Sequence, residues 1–161
     1  MSTRLSDLEL RHVDPTQLLF QVRHPAFPVE VPAWYQEGDA GGGIALAPWL
    51  QGTVLATMHV MAERPAYFAR VEVMALYMSD EQVAAEKAES SKGKEVDDST
   101  LSEASEDELQ SFVQRVTDDL YPFVRSELYA LSSRVQNVRG VMLQPHPRLQ
   151  SNIGEKGQGE A

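Results

Sequence analysis

Cysteine is absent from this 161-residue chain, which excludes disulfides, thiolate catalysis and cysteine-based zinc sites. Long apolar runs are missing as well. Nothing approaches the roughly 18 consecutive apolar residues of a membrane-spanning helix, and Met1 to Leu10 lacks the apolar stretch of a signal peptide. Cytoplasmic residence, without membrane insertion, is therefore expected. Basic residues are scarce, with 14 Lys and Arg against 24 Asp and Glu, and the net charge of −10 argues against nucleic acid as a partner. A phosphate backbone demands a basic surface.

Catalytic constellations are also lacking. The four histidines, His12, His24, His59 and His146, show neither H-x-x-x-H nor H-E-x-x-H spacing. His12 and His59 fall on segments that read as neighbouring strands, so they form either a two-histidine site or two strand histidines that merely hydrogen-bond. Gly41-Gly42-Gly43 has no following lysine or helix start, so it is no phosphate loop, and no nucleophile elbow occurs. Adjacent Asp118 and Asp119 would face different sides of a helix and suit its dipole better than acid–base work. No catalytic residue, metal site or cofactor is expected, and the chain reads as a non-enzyme.

What is present divides the chain clearly. Between Ser79 and Glu108, eleven acidic residues and three lysines carry eight of the ten net negative charges. That segment is too polar to offset its ordering entropy, so 80–107 is expected to be a disordered or weakly helical insert, with Glu81 to Glu89 as its most helical part. Upstream, Val54, Ala56, Met58, Val60 and Ala62 alternate with their neighbours at the period of a strand. Tyr67 to Met78 reads as an antiparallel partner after a turn at Glu63-Arg64-Pro65-Ala66. In it Tyr67, Ala69, Val71, Val73, Ala75 and Tyr77 share one face. The other face starts polar at Arg70 and Glu72 and becomes apolar at Met74, Leu76 and Met78, which requires a bulge near Met74 or cover on both faces. Leu8–Val13 and Gln17–Arg23 read as one interrupted strand or two short ones around Asp14-Pro15, and Ile44–Leu50 as a further strand.

After the insert, Ser105-Glu106-Asp107-Glu108 fits a capping box. A long amphipathic helix follows to about Gln136, its stripe running through Leu109, Phe112, Val113, Val116, Leu120, Val124, Leu128 and Leu131. Pro122 interrupts that stripe, and a kink or restart is expected there, with Asp118 and Asp119 at the new N-terminus. Val141-Met142-Leu143 is a short extended run, and 151–161 a flexible polar tail. The resulting fold class is α+β: an antiparallel sheet of about four strands with the proline-kinked helix packed on one face. Residues 1–150 form the single domain.

A proline- and glycine-rich stretch carries unusual apolar material: Phe27, Val29, Val31, Trp34 and Tyr35, then Trp49. These side chains either fold back as core or line an exposed groove for flexible polypeptide. Rigid aromatics give contact area at low entropy cost, and methionines such as Met58, Met61, Met74 and Met78 make a surface adaptable or simply fill the core.

The aromatic-Pro-aromatic-x-Arg run Leu120-Tyr121-Pro122-Phe123-Val124-Arg125, continued through Arg134, resembles the main helix of the SecB family of export chaperones. Ala66-Tyr67-Phe68-Ala69-Arg70-Val71-Glu72-Val73 is similar to that family's third strand, and the order of elements matches across nearly the whole chain. The resemblance implies an ATP-independent holdase, homotetrameric or dimeric, that keeps unfolded clients soluble. It implies a client groove lined by Phe27, Val29, Val31, Trp34, Tyr35 and Trp49. It also implies assembly through strand edges and the long helix, here Tyr121, Phe123, Arg125 and Leu128. Two departures stand out: the long acidic insert, and a short glycine-rich end after Pro145-His146-Pro147 in place of the second helix and the tail that engages the translocase motor SecA. They favour a variant dedicated to particular clients, such as an antitoxin, over a general export chaperone serving preproteins. The alternative is a non-catalytic adaptor on the same scaffold that binds one fixed protein partner.

Overall fold

In the computed structural model, residues 3–22, 41–50, 52–64, 67–88, 97–134 and 149–152 are described. A short 3-10 turn, Leu5–Asp7, leads into β1 (Glu9–Val22), followed by β2 (Gly41–Pro48), β3 (Thr53–Arg64) and β4 (Tyr67–Met78). Helices α1 (Asp80–Ala88), α2 (Ser99–Ser102) and α3 (Glu106–Ser133) come next, then β5 (Leu149–Asn152). The sheet order is β1-β4-β3-β2-β5. Its first four strands are antiparallel neighbours, and α3 covers one face, giving an α+β fold.

Strand alternation decides which face is covered. Val54, Ala56, Met58, Val60 and Ala62 of β3 pair across to Tyr77, Ala75, Val73, Val71 and Ala69 of β4, and all are buried. Onto them α3 presents Phe112, Val116, Leu120, Val124 and Leu128, spaced every four residues and each 2% exposed or less. A helix of 28 residues is about 42 Å long, matching a 12-residue strand at roughly 3.3 Å per residue.

The capping box forms: the Glu108 amide donates to Ser105 Oγ at 3.3 Å, and the Ser105 amide donates to a Glu108 carboxylate oxygen at 3.0 Å. The Ser105 amide and hydroxyl, both donating to the Glu108 carboxylate, hold its carboxyl below its usual pKa. At Pro122 the expected restart does not occur, because α3 is one continuous helix. Proline removes the bond to the carbonyl of Asp118, but both residues are exposed, which makes the loss cheap. With no second helix start, Asp118 and Asp119 serve other ends. Asp118 accepts from Gln114 Nε2 at 2.9 Å, and Asp119 accepts from the buried Tyr77 hydroxyl at 3.0 Å. Beside it, the Arg115 guanidinium lies 5.0 Å from the Phe112 ring centroid and donates to the Leu5 carbonyl at 2.7 Å. It ties the N-terminal turn to α3.

Of the two readings of the first strand region, the single interrupted strand is the one found: β1 passes Asp14-Pro15 with register shifts between Leu10 and His12 and between Pro15 and Gln17. Its place at the sheet edge makes that tolerable, since proline cannot donate inside a ladder. The acidic segment is structured at both described ends. Asp80 pairs with Arg11 and opens α1, the Asp97 amide donates to the Trp49 carbonyl at 2.8 Å, and Thr100 of α2 is buried. Finally, Ser151 and Asn152 belong to β5, paired in parallel with β2, instead of to a flexible tail. Backbone hydrogen bonds order this polar segment. Residues 89–96 and the run Val141-Met142-Leu143 lie outside the described residues.

Two substitutions test these local arguments. Ser105→Ala is expected to cost roughly 1 kcal/mol in urea unfolding, with Ser105→Asp close to the parent. Gly52 has φ of +67°, and an added Cβ would lie 2.9 Å from Ser79 Oγ. Gly52→Ala is expected to lose at least about 1–2 kcal/mol, and an unchanged midpoint would contradict the left-handed geometry.

Candidate functional site: the open face of the sheet

The face turned away from α3 is built in rows across the strands. Ala47, Leu55, Leu76 and His12 form one row, and Ala45, Thr57, Met74 and Asp14 the next, about 7 Å along. Gly43, His59, Glu72 and Gln17 form a third. Leu55, Thr57, Met74 and Leu76 are half-buried and Ala45 is exposed, whereas Met61, Glu63 and Phe68 at one end and Thr53 and Met78 at the other are buried. The face is thus covered at both ends and accessible between them. β4 runs against β3 without a register shift, so no bulge at Met74 explains its apolar switch. The two leucines meet each other across β3 and β4, an apolar pair on a surface that would otherwise alternate polar-out.

The polar third row bounds this apolar window. Arg70 donates to Glu72 at 2.9 Å, and Thr16, at the β1 register shift, donates to the other Glu72 oxygen at 3.0 Å. His59 stands directly opposite Glu72. Burial holds its imidazole pKa down, the Arg70 charge adds to the depression, and Glu72 partly opposes it. His12 pairs with Asp14 at 2.6 Å instead. It sits opposite Leu76, four residues along β4 from the partner of His59, hence about 13 Å away along the strands, with β4 between. A two-histidine site is ruled out by that register. Among the described residues no group of three or more His, Asp or Glu side chains is placed to hold a metal ion. No described helix is long and apolar enough to cross a membrane.

The other candidates fall in different places. Trp49, just past the end of β2, is 46% exposed and its backbone is bridged to Asp97. Phe27, Val29, Val31, Trp34 and Tyr35 lie outside the described residues. On α3, Tyr121 and Leu128 turn into the core, Arg125 is half-buried, and Phe123 is 48% exposed. Tyr129 is also exposed, about 120° around the helix from Phe123, and Leu18 and Val22 are exposed on β1. Sequence reasoning saw the apolar end of β4 but not Leu55, because the alternation of β3 made Leu55 look solvent-facing.

These features define a class of fold: an antiparallel sheet with one helix-covered face and one face partly open. The structure resembles a SecB-like chaperone of Mycobacterium tuberculosis, solved in complex with a ChAD peptide from the HigA1 antitoxin, with a TM-score of 0.50. The match covers 86% of this chain and 87% of that one at 13% identity, and it shows a SecB-like fold. A protein of unknown function from Streptococcus agalactiae is also similar, at 15% identity, TM-score 0.46, over 85% of this chain and 98% of that one. No family model and no curated protein matches the sequence.

Acidification tests the environment of His59. A lowered folded pKa means that the unfolded chain binds more protons near and below the ordinary value of about 6.5. The stability this neutral imidazole permits is therefore complete above that value and declines as pH falls through it. Urea midpoints at pH 7.5 and 5.5 should show a smaller acid loss in His59→Gln than in the parent, and equal losses would contradict the assignment.

Proposed function

We propose that the protein is an ATP-independent chaperone that holds unfolded polypeptide on the open face of its sheet. The observation that carries this reading is the window of Leu55, Thr57, Met74 and Leu76, apolar and accessible on the side that α3 leaves free. Such a surface binds by side-chain burial without reading sequence, and several weak contacts along an extended client add up through their linkage. Binding lowers the free concentration of the unfolded chain and so slows its aggregation. Trp49 adds an exposed ring at one end, and Phe27, Val29, Val31, Trp34 and Tyr35 are proposed as further client contacts.

Assembly into a dimer or tetramer runs through Phe123, Arg125 and Tyr129 of α3 and through the outer edge of β1, with Tyr121 and Leu128 bracing that helix from within. An antitoxin or similar dedicated client fits this protein better than the full range of preproteins, in keeping with the polypeptide seen on the mycobacterial SecB-like chaperone.

An aggregation assay with several unrelated denatured proteins tests this reading. The parent should protect most of them, and Leu55→Ser combined with Leu76→Ser should weaken client binding roughly tenfold while the melting curve stays close to the parent's. Protection of none would point to an adaptor with one fixed partner.

A further inference from the structure

The fifth strand is unlike the rest of the sheet. β1 to β4 are 8–14 residues long and pair antiparallel, whereas β5 has four residues and pairs parallel to β2. Parallel pairing is slightly weaker per residue, and short pairings have few bonds to lose. Its partner stretch is Gly42, Gly43, Ile44 and Ala45, half of it glycine, a poor strand former. Beyond Ala45 the edge of β2 continues through Leu46, Ala47 and Pro48, which pair with β3 and have no second strand partner among the described residues. Trp49 follows immediately; its carbonyl accepts from the Asp97 amide, and its ring is exposed. The β2 edge therefore consists of a weakly occupied stretch, an open stretch and an aromatic anchor, in that order.

We infer that β5 is a resident self-ligand on a polypeptide-docking edge: an extended client engages Trp49, pairs with Leu46 and Ala47, and displaces β5 from Gly42–Ala45. This rests on the chaperone reading and adds to it a second mode of binding, in which main-chain hydrogen bonds supply the affinity. Strand exchange suits a chain with unpredictable side chains, because every residue except proline offers the same N–H and C=O groups. With β5 in place the edge is shielded from other chains when no client is present, which protects against unwanted pairing. β5 thus sets a threshold for binding.

Prolines at Gln150 and Ser151 remove donors from β5 while leaving the rest of the sheet untouched. If β5 occupies the edge about nine-tenths of the time, Gln150→Pro with Ser151→Pro should bind a reduced, carboxymethylated model protein roughly tenfold more tightly than the parent. Amide exchange at Gly42–Ala45 should quicken in the free variant and slow again on client binding. A synthetic peptide of residues 146–155 should compete with the client on the variant. Equal affinities in parent and variant, or exchange at Gly42–Ala45 that ignores the client, would overturn the strand-exchange inference alone. Failure of both proteins to bind the unfolded probe would overturn the chaperone reading and this inference together.

Discussion

One helix for two sheet faces is the constraint on which the rest of the structure depends. The stripe from Phe112 to Leu128 packs on the α3 side of β3 and β4, with Leu5 and Leu8 in the same core. No second helix of comparable length exists among the described residues to do the same for the other side. The sequence nevertheless places leucine and methionine there, so the far side keeps accessible apolar area. A polar row of Arg70, Glu72 and His59 limits it. The result is dry packing on one side of the sheet and a partly accessible apolar window on the other.

The interior of the molecule is held by interactions of different reach. Apolar packing sets the distance between α3 and the sheet. The Tyr77–Asp119 hydrogen bond fixes the helix relative to β4, since a buried phenol finds a single carboxylate acceptor. Both burial and that acceptor raise the Tyr77 pKa far above its usual value, so the phenol stays protonated as the donor. Arg115 then reaches from the same turn of α3 to the carbonyls of Leu5 and Ser6. The N-terminal turn is consequently part of the core assembly, with Leu5 and Leu8 buried against it.

Much of the fold was legible because its signals were local and periodic. Alternation at 54–62 and 67–77 located the central hairpin, and Ser105 with Glu108 marked the start of α3 to the residue. Pro122 left a kink and a restart equally open, because its position on the exposed side, which lets the helix continue, is a tertiary fact. Asp119 looked like a dipole partner until the fold brought Tyr77 to it from 42 residues away. Leu55 was hidden for a similar reason: strand period assigns a side but not the solvent exposure of that side. β5 left no trace in side-chain pattern, because a strand held by backbone pairing at an edge needs none. The window on the sheet was half legible, in Met74 and Leu76, and its partner residues came only with the register.

The irregular outer strand has a consequence for self-association. β1 is long and largely solvent-exposed, with apolar residues at Leu18, Leu19 and Val22, features that in a flat strand invite endless lateral growth. Its two register shifts and Pro15 break the ladder into short, differently twisted stretches, and Arg11, His12 and Asp14 place charge or polarity between them. A continuous in-register fibre cannot be templated from such a border. The molecule can therefore keep one sheet face partly open without this border templating copies of itself.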